Sequence, residues 1–90
     1  MEDFVPVIPR GVRLHFDRVR DIWVLLAPER TITLDPVGLA ILNEVDGTRS
    51  VSQIAATLAD RYAAPVDQIT TDMRDFLTGL MDRRIMEARP

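Results

Sequence analysis

An α+β domain is predicted, with a three-stranded antiparallel meander followed by three helices. Three observations carry it. The first half of the chain holds short stretches with the two-residue period of strands, the second half holds three stretches with helical spacing, and the two kinds do not interleave. At 90 residues, one core is all the chain can build, so residues 1–90 are read as a single domain.

The first nine residues form an extended arm. Phe4-Val5-Pro6-Val7-Ile8-Pro9 is apolar, but its two prolines cannot donate to a ladder, which argues against a central strand. Val12, Leu14 and Phe16 then alternate with Arg13, His15 and Asp17, the pattern of a strand with one buried face. Arg18 to Asp21 make a turn. Ile22-Trp23-Val24-Leu25-Leu26 is apolar at every position and is expected in mid-sheet with both faces covered. After the turn Ala27-Pro28-Glu29-Arg30, Thr31-Ile32-Thr33-Leu34 alternates again as a third strand.

The period then changes. Asp35-Pro36 is a helix start, with a capping carboxylate followed by proline at the first helical position, and Gly47 is expected as its left-handed stop. Val37, Ala40, Ile41 and Val45 form the stripe of that helix. Ser50 and Gln53 fit a capping box for a second helix running to about Tyr62, with Val51, Ile54, Ala55, Leu58 and Tyr62 on one face. Pro65 interrupts. A third helix, from near Asp67 to Arg83 or Arg84, carries Ile69, Met73, Phe76, Leu77 and Leu80 at three- and four-residue spacing. Gly79 inside it costs about 1 kcal/mol relative to alanine, consistent with relief of crowding where another backbone approaches or with a tolerated packing glycine.

Composition excludes several functions. Cysteine is absent, which removes disulfides, thiolate metal sites and thiol nucleophiles. No apolar run approaches the roughly 20 residues of a membrane span, and the acidic start Met1-Glu2-Asp3 is unlike a secretory signal, so a cytoplasmic location is expected. His15, the one histidine, is placed on the polar side of its strand without companions for a metal site. Asp72, Asp75 and Asp82 read as a solvated helix face. No glycine-rich phosphate cradle and no nucleophile with an activating base is found. The expectation is a protein that is not an enzyme and has no catalytic, metal or cofactor residues.

The last two helices resemble a helix-turn-helix, with the meander as a displaced wing, so a small winged-helix DNA-binding regulator of transcription is the alternative. Charge argues against it: the chain carries −3, and the third helix holds four acids against three arginines. An adaptor remains. The third strand would lie at the sheet edge, able to accept a strand from another chain beside the third helix. A short, threonine-blunted edge with Met73, Phe76 and Leu80 as ordinary core fits the same pattern.

The residues Arg10-Gly11-Val12-Arg13-Leu14, Trp23-Val24-Leu25-Leu26-Ala27-Pro28-Glu29-Arg30, Leu34, Ala40-Ile41-Leu42, Asp46-Gly47, Ile54, Tyr62, Phe76-Leu77 and Asp82-Arg83 together resemble the PqqD family. This family serves pyrroloquinoline quinone (PQQ) biosynthesis and is the founding example of the recognition elements that bind ribosomally made, modified peptides (RiPPs). The resemblance covers nearly the whole chain. It implies a noncatalytic peptide chaperone that binds the precursor peptide PqqA by strand addition and presents it to the radical S-adenosylmethionine (SAM) enzyme PqqE, which cross-links glutamate and tyrosine side chains of the peptide.

Carried over by position, Thr31, Ile32, Thr33 and Leu34 would pair with the peptide backbone. Met73, Phe76, Leu77 and Leu80 would supply groove walls, some of them facing the core, while Asp72 and Arg83 would read charged side chains. Arg83-Arg84-Ile85-Met86 lacks the glycine that many related domains have there, so no short terminal strand is expected. The arm is left with three roles: covering its own core, swapping into a neighbour to make a homodimer, or docking on PqqE.

Overall fold

The computed structural model of the protein describes residues 3–90; Met1 and Glu2, on which the reading of an acidic start partly rests, lie outside the described residues. The elements are β1 (Val5–Val7), β2 (Arg13–Asp17), β3 (Ile22–Ala27), β4 (Arg30–Thr33), α1 (Pro36–Glu44), α2 (Val51–Tyr62), α3 (Val66–Asp82) and β5 (Glu87–Arg89). Strands β2, β3 and β4 form the expected antiparallel meander with β3 in the middle.

Local chemistry explains each corner of the meander. Asp17 folds its carboxylate over the β2–β3 turn, accepting from Val19 N at 3.0 Å and Arg20 N at 3.2 Å, and Asp21 turns the chain at φ 59°. Between β3 and β4 only Pro28 and Glu29 are unpaired, since Ala27 faces Arg30. The inner face of the sheet sends Leu14, Leu25, Ile32 and Leu34 to the helices. As expected for β3, both faces are covered at its middle: Val24 and Leu25, which point to opposite faces, are 1% and 0% exposed, whereas Trp23, near the strand start on the face of Leu25, is 39% exposed and stacks at a tilt on Phe16, ring centroids 5.3 Å apart.

Asp35 caps α1 through Gly38 N at 2.7 Å, with Pro36 in the first turn as expected. The helix ends differently. Val45 leaves it in an extended conformation, and Gly47, at φ 76°, serves the following turn instead. There Asp46 accepts from Thr48 N at 2.9 Å and Arg49 N at 3.0 Å, the same device as at Asp17. The α1 stripe also needs correction: Gly38, Ile41 and Leu42 are buried, while Val37 is 57% exposed. Helix α2 opens with both bonds of the expected capping box, Gln53 N to Ser50 Oγ at 3.2 Å and Ser50 N to Gln53 Oε1 at 2.8 Å. Its buried face is Val51, Ile54, Ala55 and Leu58, but Tyr62, expected with them, is 58% exposed.

The terminal strand, expected to be missing, is present and pairs with the arm. Val5 faces Arg89, Pro6 faces Ala88 and Val7 faces Glu87. Arg84 itself takes the left-handed position, at φ 61°. Its N–H bonds Met81 O at 2.9 Å and that of Ile85 bonds Leu80 O at 3.0 Å, the paired bonds of a Schellman ending. The cost of a non-glycine residue there, on the order of 1 kcal/mol, is offset by burial of Ile85 and Met86. The arm covers its own core: Phe4 is buried, its carbonyl accepts from Val51 N at 2.8 Å, and Asp3 Oδ1 accepts from Ser52 N at 3.1 Å. Thus the arm also satisfies N–H groups in the first turn of α2. Burial alone would raise the Asp3 carboxyl pKa, but bonds from Ser52, Ser50 and Phe4 outweigh it and hold the pKa below its usual value.

Candidate functional site

Among the described residues strand β4 pairs with β3 alone, so its other side is an open edge. The register tells which backbone groups face outward. Leu34 N donates to Trp23 O at 3.0 Å, placing Leu34 opposite Trp23 in a hydrogen-bonded pair. Antiparallel pairs alternate, so Ile32 also bonds inward, while the N–H and C=O of Thr31 and Thr33 point away from the sheet. Side chains divide the other way. Ile32 and Leu34 pack on the core, and both threonines are exposed.

Helix α3 supplies the neighbouring wall. Met73, Leu77 and Leu80 are fully or almost fully buried, so these three candidates are core in the free protein. Beside them on the helix surface run Asp72, Phe76, Gly79 and Arg83, spaced four, three and four residues apart and therefore aligned. Phe76 fixes where this stripe points. A Cβ on Gly38 would stand 3.1 Å from the Phe76 ring and 3.3 Å from Asp35 Oδ1, so the glycine lets α3 press against the first turn of α1. Because Asp35 follows Leu34 directly, Phe76 lies close to where the chain leaves β4. Farther along, a Cβ at Gly79 would meet nothing within 4 Å. Asp72 is exposed and accepts from Gln68 Nε2 at 2.9 Å, and Arg83 is exposed at the helix end.

Where the stripe begins, a cavity of about 330 Å³ opens between the three helices. Its walls are Pro36, Val37 and Ala40 of α1, Tyr62 of α2, and Ile69 and Asp72 of α3. Ile41, Leu58 and Met73 line it as well, so Met73 is core and cavity wall at once. One turn beyond Ala40, Glu44 holds α1 to α2: it meets Arg61 Nη1 at 3.0 Å and Arg49 Nη2 at 3.2 Å. Bonds from Arg61 first, then Arg49, keep its carboxyl below the usual range despite partial burial.

The structure therefore places Thr31 and Thr33 on the open edge of β4 and Asp72, Phe76 and Arg83 on one flank of α3, with Leu77 and Leu80 in the interior. Sequence reasoning missed Val37, Ala40, Tyr62 and Ile69 as cavity residues. Their helical spacing matches that of core residues, and only the exposure of Val37 and Tyr62 separates them. His15 lies exposed on the outer sheet face, opposite Val24. No helix is long and apolar enough to cross a membrane among the described residues.

A small α+β domain with an open strand edge beside a helix flank has the architecture of a peptide-recognition module. The comparisons specify which. Residues 23–86 match the family model for coenzyme PQQ synthesis protein D, PqqD. A relative in Xanthomonas campestris pv. campestris strain 8004, called a PqqA binding protein, is 45% identical over 84 residues, covering 93% of this chain and 91% of that one. The bifunctional coenzyme PQQ synthesis protein C/D of Methylorubrum extorquens is 51% identical over 83 residues, which are 92% of this chain but 22% of that protein.

The solution structure of the PqqD portion of Methylobacterium extorquens PqqCD, described as a functional and stand-alone RiPP recognition element, superposes with a TM-score of 0.81 at 51% identity, covering 92% of this chain and 88% of that one. The crystal structure of PqqD from Xanthomonas campestris gives 0.62 at 46%, covering 88% of each chain. This chain belongs to the PqqD family, and its α+β fold is of the winged-helix-like kind expected.

Proposed function

We propose that this protein binds the precursor peptide PqqA as an added strand on β4 and presents it to the radical SAM enzyme PqqE, itself performing no chemistry. The observation that carries the reading is the outward set of Thr31 and Thr33 backbone groups beside the α3 stripe, in a chain whose relatives are called PqqA binding proteins. Ladder bonds supply affinity that tolerates sequence, and side chains along α3 supply discrimination. Holding both peptide and enzyme raises the local concentration of one at the other without any catalytic group on the carrier.

A titration of ¹⁵N-labelled protein with PqqA tests this. Amides of Thr31 and Thr33 and of the stripe from Asp72 to Arg83 should shift together and saturate, and duplex DNA at near-physiological salt should leave them unmoved. Absence of saturable peptide binding at micromolar concentration would overturn the reading. Presentation is tested separately by adding PqqE to the labelled complex, where a ternary species with PqqA retained is expected and displacement of PqqA would refute it.

A further inference from the structure

The cavity between α1, α2 and α3 has a chemistry that strand pairing does not use. We infer that it is the anchor pocket for one large apolar side chain of the bound peptide, aromatic or branched aliphatic, with an adjacent Lys or Arg of the peptide pairing with Asp72. This rests on the peptide-binding reading and names what that site selects.

Continuity comes first. The chain passes from the open edge at Thr33 through Leu34 and Asp35 to Pro36 and Val37, which are cavity wall. A strand advances about 3.3 Å per residue, so a peptide laid along β4 reaches the cavity mouth within a few residues of its last ladder bond. Next, the walls are apolar apart from the Asp72 carboxylate and the Tyr62 hydroxyl. A small polar metabolite needs several convergent hydrogen-bonding groups, and one carboxylate with one phenol at an exposed rim does not supply them.

Exposure points the same way. Val37 and Tyr62, two large apolar side chains more than half exposed, frame the opening, and an apolar occupant removes that surface from water. Finally, Asp72 forms no ion pair among the described residues, its side chain being held by neutral Gln68. That leaves a carboxylate at the rim to meet a cation beside the anchor.

The test uses PqqA and a set of PqqA variants in which each large apolar residue is changed singly to serine. Ala40→Phe fills the cavity from a partly exposed helix position and should weaken PqqA binding about ten- to a hundredfold, while the Thr31 and Thr33 shifts still reach their end point at saturation. One serine variant should lose as much against the unaltered protein and lose nothing more against Ala40→Phe. Asp72→Asn should weaken binding and flatten its salt dependence.

Val37→Ser, at an exposed position, removes wall without filling space and carries the test should Ala40→Phe fail to give a dispersed amide spectrum. Unaltered affinity in a folded Ala40→Phe or in Val37→Ser, with the Thr31 and Thr33 shifts intact, would overturn the pocket and leave strand pairing standing. Absence of PqqA binding to the unaltered protein would overturn strand pairing itself.

Discussion

Replacing Thr33 by proline separates the edge of β4 from the interior of the sheet. The Leu34–Trp23 bond of 3.0 Å sets the alternation, and by that alternation the Thr33 N–H is not part of the β3–β4 ladder. Proline is tolerated on an exposed edge, so the free protein should lose less than about 1 kcal/mol. At Ile32 the same change removes an inward ladder donor and should cost about 3 kcal/mol or more. In the complex, Thr33→Pro deletes one backbone bond worth about 0.5–1.5 kcal/mol and strands a peptide carbonyl at about 1–3 kcal/mol. A combined loss of about 1.5–4.5 kcal/mol corresponds to an increase in Kd of roughly tenfold to a thousandfold or more. Calorimetric titration with PqqA reads the affinity, thermal unfolding reads the stability, and Thr33→Ala, which keeps the N–H, should bind within about threefold of the original. Two results would refute the reasoning: a folded Thr33→Pro with unchanged Kd, or a Thr33→Pro as unstable as Ile32→Pro.

Other expectations follow from single contacts. Glu44→Gln weakens the link from α1 to Arg61 and Arg49 and should lower stability by about 1 kcal/mol, seen as a fall in Tm of several degrees. Backbone bonds from Arg49 and Thr48, then the Arg49 side chain, depress Asp46 to about 2. Its unfolded-state value is near 3.8, so its contribution is complete above that pH and is lost as the pH falls from about 4 towards 2; acid unfolding of Asp46→Asn should show a shallower pH dependence in that window. Gly79→Ala should stabilise α3 by about 0.5–1 kcal/mol because the new methyl meets nothing, yet weaken PqqA binding because it projects from the groove stripe; unfolding and titration on one sample show whether the two effects separate. Arg84→Gly, at φ 61°, should raise Tm by relieving left-handed strain.

Most of the fold was legible because each element carries its own signals. Asp35-Pro36, the Ser50/Gln53 box and the alternation at Thr31–Leu34 are local features, and local geometry follows them. The misplaced features depend on distant partners. A left-handed Arg84 is set by burial of Ile85 and Met86, which no window around residue 84 reveals. The arm's pairing with β5 joins residues eighty or more positions apart. At the site, the open edge followed from strand order, but the cavity did not. Val37 and Tyr62 have the spacing of core residues, and their exposure depends on how far apart three helices stand. The α3 candidates divide on the same ground, since a helix rotated by one residue would exchange Met73 for Asp72.

The ladder between Val5 and Arg89 closes the chain on itself. Both described ends therefore leave from neighbouring strands, and Asp3 and Pro90 border one shallow cleft. A larger protein can carry such a unit on a single stem, its host entering and leaving at one spot while the remaining surface stays clear. The Methylorubrum relative, in which the matching span is 22% of a longer chain, shows that a domain of this family can be built into a bigger one. For engineering, the same proximity means that a short linker between the ends, with new termini opened in the exposed turn around Val19, would yield a circular permutant with the groove untouched.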